Sequence, residues 1–149
     1  MTNPKEVMVA FQTHVAQAKM PTYATEGSAG ADLYASGYDV IQPNETLLVG
    51  TGVSIELPEG YEAQVRSRSG LAAKFSVHVL NAPGTIDSDY RGEIKVILRN
   101  SGIEPFGIQP GDRIAQLVVS PVCKALFFAA GGALNMTKRG SGGFGSTGV

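Results

Sequence analysis

The chain has 149 residues, 43% of them hydrophobic, and a formal net charge of −1. That length suits one domain with a real core, and the near-neutral charge excludes the basic field that attracts long nucleic acid, so a phosphorylated ligand would have to be held by a few placed groups. A single cysteine, Cys123, excludes an internal disulfide, and the two histidines, His14 and His78, lack the spacing of a zinc site.

Residues 1–6 carry no apolar signal region, and no stretch approaches the ~20 apolar residues of a membrane helix. A soluble cytoplasmic protein is therefore expected. Val7, Val9 and Phe11 alternate, as half-buried strands do. Ala29-Gly30-Ala31-Asp32-Leu33 reads as a turn into a strand. Val53, Ile55 and Leu57 alternate, then Tyr61, Ala63 and Val65, with Pro58-Glu59-Gly60 as the turn between them. Ser69–Phe75 is the best helical candidate, with Ser69 placed to cap it. Residues 77–80 are strand-like, and Pro83-Gly84 marks a tight bend after them. Ile94, Val96 and Leu98 give another strand, ended by the turn signal Asn100-Ser101-Gly102. Pro110-Gly111-Asp112 turns into the alternating Ala115, Leu117 and Val119. Cys123 follows in an apolar run and reads as a small packing residue. Many short strands between regular turns predict an all-β sandwich, barrel or jelly roll, with no repeat and no internal domain boundary.

The end of the chain differs. Arg139-Gly140-Ser141-Gly142-Gly143-Phe144-Gly145-Ser146-Thr147-Gly148 holds five glycines and one bulky apolar side chain. It cannot bury enough surface to offset its own ordering entropy. It fits G-x-G-x-x-G by letter, yet no strand precedes it and no helix follows. It also approaches a phosphate-binding loop, but Ser146 stands where that loop needs lysine. Two readings stay open. One is a frayed tail. The other is an anion-binding arm, in which crowded backbone N–H groups and the Arg139 fork meet phosphate oxygens. Residues 81–93 likewise read either as a solvated hairpin with acidic tips or as a hairpin whose backbone reads a base edge beside a carboxylate and an aromatic ring. Arg68-Ser69-Gly70 is either a helix cap or an anion site.

Together and in this order, five segments resemble the five motifs of the trimeric dUTPase family. They are residues 29–33, Arg68-Ser69-Gly70-Leu71, residues 81–92, residues 111–117, and residues 139–146. The match spans about Ala29 to Thr147. The family often has proline where this chain has Ser67, which touches only a local turn.

The resemblance implies a distorted jelly-roll-like β-barrel or sandwich over residues 1–138, and a flexible arm over residues 139–149. It implies a homotrimer with three sites, each built from three chains: motifs one, two and four from one chain, the third-motif hairpin from a second, and the arm from a third. It implies hydrolysis of dUTP to dUMP and pyrophosphate, with Mg²⁺. Asp87 would activate the attacking water. Tyr90 would pack under the deoxyribose and exclude a 2′-hydroxyl. Asn81 and the backbone of Gly84, Thr85 and Ile86 would read the uracil. Arg68, Ser69, Gly70 and Gln116 would hold the phosphates. Asp32 would order water ligands of the Mg²⁺, whose direct partners would be triphosphate oxygens. Arg139, Gly145, Ser146 and Thr147 would clamp the outer phosphates while Phe144 covers the base. A dCTP deaminase of the same fold, a dUTP-binding regulatory protein and a purely structural jelly roll are the alternatives. In a flat strand Asp87 and Asp89 share a face that Tyr90 opposes. For both Asp87 and Tyr90 to serve one pocket, the segment must therefore twist or bulge there, or the two residues must approach the ligand from different sides.

Overall fold

The computed structural model describes residues 6–148; residues 1–5, including most of the segment read for a signal, and Val149 lie outside the described residues. Among the described residues the elements are β1 (Ala10–Thr13), β2 (Thr22–Tyr23), β3 (Ala31–Tyr34), β4 (Asp39–Ile41), β5 (Thr46–Gly50), β6 (Val53–Glu56), β7 (Tyr61–Arg66), α1 (Ser69–Phe75), β8 (Val77–Val79), β9 (Gly84–Ile86), β10 (Lys95–Asn100), β11 (Phe106–Ile108) and β12 (Arg113–Pro121). The strands form four antiparallel sheets, ordered β2-β3-β12-β7-β9, β5-β10-β8, β1-β6 and β11-β4. The fold is all-β and jelly-roll-like, without barrel closure in these sheets.

The alternating runs become strands because one face of each packs inward. Ala63 and Val65 of β7, Val96 and Leu98 of β10, and Ala115 and Leu117 of β12 all join one apolar core, with Leu33, Ile41, Val49, Val53 and Ile114. The first run departs from expectation. Its strand begins only at Ala10, and all four residues of β1, Phe11 among them, are exposed. Val9, just before the strand, is the residue that packs on the core. Among the described residues β1 pairs only with β6, which makes it an edge strand that the core does not need to cover.

The expected turns are present. Tyr61 N–H bonds Pro58 O (3.3 Å), and Gly60 takes a φ of +84°. Gly111, at φ +90°, precedes Asp112, whose N–H bonds Gln109 O (3.0 Å). Asn100, read from sequence as part of a turn, ends β10 there and is also a fully buried hub. Its amide donates to Ile41 O (2.9 Å) and Glu104 O (2.8 Å), and its Oδ1 accepts from Gly102 N–H (2.9 Å). It thereby ties β4, β10 and the loop before β11. Asn100→Ala strands these buried groups and leaves a void, so unfolding free energy should fall by about 3 kcal/mol. A urea titration of both chains checks this; a loss below ~1 kcal/mol would show the hub to be dispensable.

After Val122, whose N–H bonds Gly60 O (2.8 Å), residues 123–141 are exposed. Cys123 is among them, so it is not the packing residue its apolar neighbours suggested. The run of Leu126, Phe127 and Phe128 is also exposed, because the stretch leaves the β body instead of folding back on it.

Candidate active site

The third-motif segment builds a pocket of about 320 Å³ lined by Asn81, Gly84, Thr85, Ile86, Asp87 and Tyr90, with Leu48, Val65, Glu93, Ile94, Lys95 and Ile97. Among the described residues β9 terminates the five-stranded sheet and pairs only with β7, through Val65↔Gly84, Gln64↔Thr85 and Ala63↔Ile86. Its other edge therefore keeps N–H and C=O groups without a strand partner, the arrangement a planar hydrogen-bonding ligand can use. Gly84 and Ile86 are buried and Thr85 is exposed.

The conflict between strand geometry and a shared pocket is resolved by where the strand stops. β9 ends at Ile86, and Tyr90 N–H bonds Asp87 O at 3.1 Å. Residues 87–90 thus form a turn whose two ends reach the same pocket, while Asp89 at its tip does not line it. Among the described residues no cation pairs with the Asp87 carboxylate. Glu93 and Lys95 were not anticipated. Glu93 Oε1 accepts the Gly52 N–H (2.9 Å) and Oε2 lies 3.8 Å from Lys95 Nζ. Nothing but their position beside the third motif marks them in the sequence.

The first, second and fourth motifs meet on the face of the same sheet. β12 lies between β3 and β7, and Gln116 stands opposite both Asp32 and Arg66. Asp32 is largely buried, with Arg68 Nε 3.2 Å from Oδ1 and Arg113 Nη1 3.4 Å from Oδ2. Arg68 Nη1 also donates to Arg113 O (3.1 Å), leaving its Nη2 without a partner among the described residues. The Gln116 amide donates to Ser67 O (2.9 Å) across a slot over Gly30. A Cβ on Gly30 would fall 3.1 Å from both Cβ and Cδ of Gln116, so the first motif needs glycine to admit the fourth-motif side chain. Arg113 is a further unanticipated member, although it lies within the fourth motif. Ser69 is not the helix cap: Arg68 holds that position with no side-chain capping bond, and Ser69 and Gly70 are the first, exposed residues of α1.

The arm is turned on itself. Arg139 Nε donates to Gly142 O (2.9 Å), Gly142 N–H bonds Arg139 O (3.0 Å), and Ser146 N–H bonds Gly143 O (3.0 Å). Phe144, at φ +50°, is fully exposed. The Arg139 fork and the Phe144 ring thus stand in solvent.

No three His, Cys, Asp or Glu side chains gather as a metal cage among the described residues. Each Asp32 oxygen meets one guanidinium and retains lone-pair capacity for a water. That donor set fits Mg²⁺, which keeps several waters and commonly arrives with phosphate oxygens. No helix among the described residues is long and apolar enough to cross a membrane.

Fold and site together define a jelly-roll-like β protein with a hydrogen-bonding, aromatic-walled pocket and a separate arginine–carboxylate–amide row suited to phosphate. The family model for dUTPase matches residues 16–148. Relatives named deoxyuridine 5'-triphosphate nucleotidohydrolase include those of Anaplasma marginale, 56% identical over 132 residues (87% of this chain, 89% of that one), and Methylocella silvestris, 48% identical over 153 residues (100% and 95%). Among solved structures, the Staphylococcus bacteriophage 80alpha dUTPase with dUpNHpp superposes with a TM-score of 0.89 at 26% identity, over 99% of this chain and 100% of that one. A mutant dUTPase from phage phi11 of S. aureus, described with a structural Mg(II) ion, shares the fold with a TM-score of 0.80 at 23% identity, over 86% of this chain and 99% of that one. The chain belongs to the dUTPase family.

Proposed function

We propose that the protein hydrolyses dUTP to dUMP and pyrophosphate by in-line attack of water on the α-phosphorus. The observation that carries this reading is the unpaired outer edge of β9 in a pocket that also holds Asp87 and Tyr90. Uracil presents acceptor, donor and acceptor along one edge, which alternating backbone N–H and C=O groups of Gly84, Thr85 and Ile86 can match. Asn81, whose Nδ2 lies over Gly84, closes that edge. Tyr90 lies under the deoxyribose. Arg68, Ser69, Gly70 and Gln116 take phosphate oxygens, and Arg139, Gly145, Ser146 and Thr147 of an arm take the outer ones while Phe144 covers the base.

The protein acts as a homotrimer. The phosphate row of one copy faces the uracil pocket of a second, and the arm of a third closes over both. In the chemical step the Asp87 carboxylate accepts a proton from water as its oxygen bonds the α-phosphorus, and the bond to the bridging oxygen breaks to release pyrophosphate. General-base help is worth ~10²–10⁴ in rate. The remainder comes from alignment and from arginine and backbone donors on the transferring group. Were Mg²⁺ bound with the triphosphate, Asp32 would order its waters, and the ion would supply charge neutralisation there.

Selectivity tests this reading. Cytosine places a donor where uracil has an acceptor and leaves pocket groups unpaired, so kcat/KM for dCTP should lie ~10⁴-fold below that for dUTP, whereas the thymine methyl should cost less. Pyrophosphate release across dUTP, dTTP and dCTP measures it. Comparable turnover of dCTP and dUTP would overturn the base-edge assignment.

A further inference from the structure

The Tyr90 ring lies where a side chain on Gly92 would be. A Cβ on Gly92 would fall 2.5 Å from Tyr90 Cζ and 2.9 Å from Cε2, and would also collide with Oη. Gly92 is not among the glycines with positive φ, so the backbone there does not itself demand glycine. What demands it is the ring. The local backbone is braced against moving aside: Tyr90 N–H closes the turn on Asp87 O (3.1 Å), and Arg91 Nη1 donates to Ser88 O (2.7 Å) and Tyr90 O (3.1 Å). Glu93 accepts the Tyr90 hydroxyl at its carbonyl (3.0 Å) while its carboxylate holds Gly52 N–H (2.9 Å), which fixes the far end of the phenol.

We infer that Gly92 is a positioning residue for sugar discrimination: its missing Cβ is the seat that fixes the Tyr90 ring plane, and Glu93 O is the anchor that completes it. This rests on the sugar-facing role proposed for Tyr90. With any larger residue at 92 the ring must rotate out and lose the Glu93 bond. The floor that excludes a 2′-hydroxyl then opens, while the uracil edge and the phosphate row stay as they are.

The test is a cycle of Gly92→Ala, Tyr90→Ala and the double variant, each assayed for kcat/KM with dUTP and UTP. A crystal structure of Gly92→Ala accompanies it. Gly92→Ala should lower the dUTP-over-UTP ratio by about tenfold or more, chiefly through gained UTP turnover and a raised KM for dUTP, and the ring should be displaced. In the Tyr90→Ala background the same substitution should change the ratio less than about twofold. A ring left in place in Gly92→Ala, or an equal effect in both backgrounds, overturns the inference. If Gly92→Ala does not fold, the double variant should recover folding because the clash is gone; failure to recover also overturns it. Should Tyr90→Ala leave the ratio unchanged while Gly92→Ala displaces the ring, the sugar role of Tyr90 fails and the sugar-discrimination claim falls with it, whereas the seat itself stands.

Discussion

Asp87→Asn is expected to fold, bind dUTP with nearly unchanged affinity and lose ~10²–10⁴ in kcat. The carboxylate opens the turn that begins directly after β9, lines the pocket and has no cationic partner among the described residues, so its removal breaks no ion pair. The amide is nearly isosteric but does not take a proton from water. Asp89, two residues on, lies outside the pocket lining. Asp89→Asn should therefore keep kcat within a few-fold. Steady-state kinetics with calorimetric dUTP binding checks both. A crippled Asp89→Asn beside a mild Asp87→Asn would show that the other acid of the turn acts on the water.

Ending the chain at Lys138 should leave folding and trimer assembly intact and lower turnover ~10²-fold or more. Residues 139–148 bond locally and the Phe144 ring is fully exposed, so the β body loses no core contact with them. Ordering such glycine-rich backbone costs roughly 1–2 kcal/mol per residue. Stacking by Phe144 and charge-assisted bonds from Arg139 can offset that cost only when base and phosphates are present. On the proposed function, closure would thus be conditional on ligand, and it would exclude bulk water from the pocket. In the proposed trimer, the exposed stretch from Cys123 onward would give the arm its reach toward another copy. Sedimentation with pyrophosphate release decides the matter: a truncated trimer turning over dUTP near the full-length rate would reduce the arm to a tail.

Strands that are half-buried announce themselves: β7 lies where Ala63 and Val65 alternate with polar neighbours, and β10 and β12 lie where Val96 and Leu98, then Ala115 and Leu117, recur at every second position. β4 and β11 do not, because three residues are too few for a period to register. β6 buries Val53, Ser54 and Ile55 in succession, so alternation located it without describing its environment. Pairing was not legible. Among the described residues only β2 and β3 are both neighbours in sequence and partners in a sheet, and every other pairing depends on closure over distance. Asn100 escaped because an amide signals a turn until three partners are known. At the site, motif order pointed to residues that line the pocket, and the misfit between Asp87 and Tyr90 in a flat strand left two outcomes, a distorted segment or approach from two sides, between which the turn after β9 decides. Glu93 and Arg113 stayed hidden because their roles arise from Gly52 and Asp32, residues 41 and 81 positions away.

The most direct measurement follows a single-turnover reaction of dUTP in heavy-oxygen water by phosphorus NMR. Attack of water on the α-phosphorus should give dUMP and pyrophosphate in equal amounts, with the label on dUMP alone. Label in pyrophosphate, or bound dUTP with no turnover at all, would contradict it.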